Sequence, residues 1–88
     1  MFKLVLTCSG VPSHLGAQGA NDITEEFKQR PWHQNVSCTW EGGLLRLEAE
    51  NDFDSDGLAL RDEFSDEICN CIVEGFDGDL NVVSVSEI

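Results

Sequence analysis

Polar and apolar positions alternate at the start of the chain. Phe2, Leu4, Leu6 and Cys8 fall on one side of an extended backbone, with Lys3, Val5 and Thr7 on the other. Val5 makes the second side partly apolar, which predicts a strand with neighbours along both edges. Gly10, Pro12 and Gly16 then interrupt the pattern and predict a loop over SGVPSHLG. Over residues 17–30 the period changes: Ala20, Ile23 and Phe27 recur at spacings of three and four, the stripe of an amphipathic helix. Asp22 followed by Glu25 also fits the cap of a shorter helix beginning at Ile23. Pro31 ends the element, because it lacks an N–H and disfavours the helical conformation of the residue before it.

Gly42-Gly43 sits between two strand-like runs, Asn35–Glu41 and Leu44–Glu50, and reads as a two-residue hairpin turn. Folding about it pairs Trp40 with Leu45, Cys38 with Leu47 and Val36 with Ala49 on one face. Thr39 meets Arg46, and Ser37 meets Glu48, on the other. A second helix is predicted over residues 56–74 from the stripe Leu60, Phe64, Ile68, Cys71 and Ile72, with Gly75 as its C-terminal stop. Residues 80–88 alternate again, with Val83 and Val85 on one side, and predict a last strand.

The resulting order, β-α-β-β-α-β, resembles the α+β ferredoxin-like plait, the split βαβ fold in which two helices cover one face of a four-stranded antiparallel sheet. The resemblance spans the whole chain at the level of fold, and that fold carries many unrelated functions.

Length changes the picture only by bounding it: 88 residues predict a single domain, over residues 1–88. Charge says more. Five Lys and Arg stand against 17 Asp and Glu, a formal charge of −12 and a pI near 4.1. Nucleic acid is excluded as a partner, because binding it requires a basic patch to neutralise phosphates. An anionic membrane surface is excluded by the same sign. The hydrophobic content of 41% is sufficient for a folded core despite the acidity. The apolar run Leu4–Leu6 is too short for a secretory segment, and no run approaches the ~20 residues that span a bilayer. The expected location is therefore cytoplasmic. There the four cysteines, Cys8, Cys38, Cys69 and Cys71, are expected as reduced, small apolar residues rather than as disulfides or zinc ligands. Cys69 and Cys71 lie about 200° apart on a helix and cannot easily grip one ion.

One local motif carries chemistry. Residues 52–63 read Asp-Phe-Asp-Ser-Asp-Gly-Leu-Ala-Leu-Arg-Asp-Glu, which resembles the calcium-binding loop of the EF-hand family at each fixed position. The resemblance implies carboxylate ligands from Asp52, Asp54 and Asp56, a backbone carbonyl from Leu58, and a bidentate Glu63 around calcium. It departs from that pattern at Ala59 and Leu60, in having a strand rather than a helix before the loop, and in lacking a sister loop. The same acids fit a second reading, as caps on the N–H groups of a helix starting near Gly57, with Ser55 or Asp56 as N-cap and Leu60 in the apolar stripe.

Other candidates are weaker. Cys8 at a strand end, with His14 nearby, has the general form of a thiol nucleophile, although its phase with Leu4 and Leu6 points it inward. His14 and His33 lie in polar segments and are expected in solvent. Trp32, after Pro31, fits either an exposed contact or packing against the helix end. The leading expectation is a small, acidic, non-enzymatic binding or regulatory module of the cytosol, whose partner is a protein, and a basic one if charge drives the contact. A calcium-binding domain is the alternative, and a thiol enzyme centred on Cys8 the third reading.

Overall fold

A computed structural model describes residues 1–88. The elements are β1 (Phe2–Cys8), α1 (Ser13–Lys28), β2 (Gln34–Glu41), β3 (Leu44–Asn51), α2 (Leu58–Cys71) and β4 (Leu80–Glu87). The sheet order is β2-β3-β1-β4, with each neighbouring pair antiparallel. This is the ferredoxin-like α+β plait, and β1 holds the interior position that its apolar second side requires. No helix is long and apolar enough to cross a membrane.

The core is built from the two periodicities. Leu4, Leu6 and Cys8 of β1 and Leu45, Leu47 and Ala49 of β3 face Ala20, Ile23 and Phe27 of α1 and Leu60, Phe64 and Ile68 of α2. Most of these side chains are fully buried, each contributing about 1.5–3 kcal/mol of transfer free energy. Leu60 lies in this core, in phase with the α2 stripe. Cys8 and Cys38 are core residues, whereas Cys71 is half-buried and Cys69 exposed.

The first helix starts earlier than the glycines suggest, at Ser13 rather than residue 17 or Ile23. Gly16 is inside it because the Trp40 ring crosses the helix there: a Cβ on Gly16 would lie 2.2 Å from the indole. A residue that breaks the helical pattern in sequence is thus demanded by packing. Lys28 is the last helical residue, and Gln29 and Arg30 continue as tight turns with N–H bonds to Glu26 and Phe27 carbonyls. Similarly, α2 ends at Cys71 rather than residue 74. Ile72 leaves in an extended conformation (φ −116°, ψ 113°), and its side chain packs against Gly19.

The hairpin register holds for Trp40–Leu45, Thr39–Arg46, Cys38–Leu47 and Ser37–Glu48. The expected Val36–Ala49 pair is displaced by a bulge. Gln34 pairs with Glu50, and Asn35 takes a left-handed φ of 50°, so two residues of β2 oppose one of β3. A second bulge lies between β1 and β4: Val5 pairs with Ser84 but Leu6 with Val82. Val83 is the extra residue, 55% exposed, while Val82 and Val85 pack on the core. The expected side-sharing of Val83 and Val85 fails for that reason. Thr24 of α1 fastens to β2, its Oγ1 accepting from the Cys38 N–H (3.0 Å) while its one proton is shared between the Ala20 (2.9 Å) and Cys38 (3.2 Å) carbonyl oxygens.

Candidate functional site

Asn51 is the last residue of β3 and, in phase with Leu47 and Ala49, points inward. Its Oδ1 accepts the N–H groups of Phe53 (3.3 Å) and Asp54 (2.9 Å), turning the chain out of the sheet. Asp54 is buried and meets the start of α2. One carboxylate oxygen accepts from the N–H groups of Gly57 (3.1 Å) and Ala59 (3.4 Å), the other from Leu60 (2.8 Å). Asp56 accepts from Leu58 N–H at 3.0 Å. Two carboxylates thereby satisfy four consecutive donors at the helix end and oppose its positive dipole. The N-cap itself is Gly57, rather than Ser55 or Asp56. Its φ of 80° and the Val82 side chain packed against it leave no room for a Cβ.

The candidate calcium ligands are dispersed among these tasks. Asp52 is exposed, Asp54 and Asp56 cap α2, and Leu58 is the first residue of that helix. Glu63, one turn further on, faces residues 30–33 instead. Its Oε2 lies 2.7 Å from His33 Nε2, and its Oε1 accepts from Trp32 Nε1 (3.3 Å) and faces Arg30 Nε at 3.4 Å. No three His, Cys, Asp or Glu side chains converge as a metal-holding group.

The segment holding Glu63 is a turn, Arg30-Pro31-Trp32-His33, closed by the His33 N–H on the Arg30 carbonyl at 3.2 Å. Pro31 suits its second position because its φ is already fixed there. The turn sends Trp32 outward and His33 inward. His33 is not solvated as its polar neighbours suggest: its side chain is fully buried between Glu63 and Asn51. The proton position follows from Asn51, whose Oδ1 is committed to two backbone donors. Asn51 therefore presents its amide nitrogen to His33 Nδ1 (3.4 Å), making Nδ1 the acceptor. Nε2 then carries the proton and donates it to Glu63. Arg30 completes the cluster, reaching Glu67 at 3.5 Å while its guanidinium stacks 4.6 Å above Phe27.

Two aromatic rings flank this buried cluster. Trp32 and Phe53 have ring centroids 5.9 and 6.0 Å from His33, and each is about half exposed (49% and 51%). The Trp32 indole N–H is tied to Glu63 of α2, and the side chain is otherwise about half exposed.

The Cys8 thiol is buried and donates weakly to the Ser9 carbonyl (3.4 Å). Burial first, and then the neighbouring Cys69, push it up to about 11, which keeps it protonated and poorly nucleophilic. His14 lies at the surface, 3.5 Å from Glu74. On the uncovered face of the sheet, Val5 is buried opposite Glu48, and Glu48 pairs with Lys3 (3.8 Å) and Arg46 (3.5 Å). Both cations of that face converge on Glu48, and its other carboxylates, Glu41 and Glu50, form no ion pair.

No family model, curated protein or solved structure matches the chain.

Proposed function

We propose that the chain is a non-enzymatic binding module of the cytosol that captures a basic protein surface on its helical side. The observation that supports this is the partition of charge. Thirteen of the 17 carboxylates lie on the two helices and the loops, together with only three of the five cations. Of those three, Arg30 and Lys28 are already paired, with Glu63, Glu67 and Glu25. Glu26, Asp62 and Asp66 have no cationic partner, unlike Glu48 on the sheet face. Crowding like charges opposes folding and is relieved when an opposite charge arrives, which also accelerates encounter with a basic partner.

The test is calorimetric titration with a hexa-arginine peptide at several salt concentrations, with hexa-glutamate as control. Saturable binding to the cationic peptide that weakens with salt, and weakens again in Asp62→Asn/Asp66→Asn, is the expected result. Equal affinity for both peptides, or indifference to salt, overturns the proposal.

A further inference from the structure

We infer that Trp32 and Phe53 are the anchor of this surface, taking an arginine- or lysine-bearing segment of the partner against their exposed ring faces. The inference rests on the reading of a basic partner and adds the place where it docks. Both rings are held before any partner arrives. Trp32 is fixed by the Pro31 turn and by its N–H on Glu63, and the Phe53 ring lies against the buried His33 ring at 6.0 Å, on a backbone tied to Asn51. Beneath them His33 is fully buried and bonded on both nitrogens. The ordering entropy of this patch is therefore spent in folding and not again in binding. A half-exposed tryptophan on a rigid base is the residue type and setting that most often dominates association energy.

The chemistry of the occupant follows from what surrounds the rings. Exposed Asp52 adjoins Phe53, and exposed Asp56 lies three residues on. The nearest cation, Arg30, is occupied by Glu63, Glu67 and the Phe27 ring. Ring faces attract a guanidinium or ammonium, and the guanidinium also stacks flat on them. A second copy of this chain is disfavoured, because each brings a charge of −12.

The experiment follows the ¹⁵N-labelled chain by NMR during titration with the hexa-arginine peptide. The Trp32 indole N–H is the reporter, and that of Trp40, packed on Gly16, is the internal control. The inference predicts saturable shifts of Trp32 Nε1–H and of the amides of residues 30–33 and 51–54. It also predicts an affinity loss of about tenfold or more in Trp32→Ala and in Phe53→Ala, with Trp32→Phe closer to the parent; retained dispersion of the core amides shows that each variant is folded. Shifts confined to α1 and α2 with Trp32 unmoved overturn the anchor and leave the basic partner standing. An absence of shifts at millimolar peptide overturns both. Concentration-dependent dimerisation of the free chain, abolished by Trp32→Ala, overturns the inference in favour of a second copy.

Discussion

The indole of Trp40 on β2 lies directly on the backbone of α1 at Gly16, where a Cβ would come within 2.2 Å of the ring. Gly16→Ala is therefore expected to destabilise the chain by about 1–3 kcal/mol, the usual cost of overpacking, despite raising helix propensity. Chemical denaturation of Gly16→Ala, Trp40→Leu and the double variant measures it. A smaller side chain at residue 40 should relieve the clash, so the two losses should not add. Simple additivity would show that Gly16 matters for some reason other than Trp40.

Asp54 meets three N–H groups at the start of α2 and is already spent as a cap. Asp54→Asn is expected to cost about 1–2 kcal/mol, and Asp56→Ala less, since Asp56 is exposed and serves one donor. The loss should be the same with calcium as with a chelator, and the parent's melting temperature should be equal in both. A parent stabilised by millimolar calcium, with Asp54→Asn indifferent to it, would falsify the capping role as the main use of this loop.

His33 is expected to carry its proton on Nε2, because Asn51 can only donate to Nδ1. A long-range ¹H–¹⁵N spectrum of the imidazole distinguishes the two tautomers directly. Asn51→Ala should cost about 1–3 kcal/mol by leaving the Asp54 N–H without its acceptor. It should also release the tautomer preference. A spectrum showing Nδ1 protonated in the parent would reverse the assignment of the Asn51 amide.

Burial pushes the Cys8 and Cys71 thiols up to about 11 and Cys38 up to about 12, from 9.0. Carboxylates on Glu67, Glu26 and Asp22 add to the Cys71 shift. Above pH 9 the unfolded chain loses these protons while the folded chain keeps them. Stability is thus intact below pH 9 and falls as pH rises towards 11–12. Urea midpoints measured across that range should decline, and Cys38→Ala should flatten the decline. At neutral pH a thiol reagent should label exposed Cys69 first and reach Cys8 and Cys38 only on unfolding.

The element order and the hairpin were legible because two local signals agreed, an alternation of period two and a Gly-Gly turn. Leu60 was legible too, since its phase with Phe64 and Ile68 needs only the helical repeat. What stayed hidden depends on partners distant in sequence. Gly16 reads as a breaker until Trp40 is laid across it. The bulges at Asn35 and Val83 leave no mark in composition. His33 looks solvated because its partners, Asn51 and Glu63, lie 18 and 30 residues away. The acids of residues 52–56 show the opposite difficulty: one string of side chains suits two chemistries, and its composition does not choose between them.

The bulges at Asn35 and Val83 fall on β2 and β4, the two outer strands of the sheet. Thr24 adds a hydroxyl that accepts the outward N–H of Cys38 on β2. An incoming strand would therefore find neither border straight, and one of them already engaged at Cys38. Growth by strand addition, the ordinary route from a small open sheet to fibrils, is interrupted on both sides. A concentrated solution of this chain should resist polymerising through its backbone, and Thr24→Val should weaken that resistance at the β2 border.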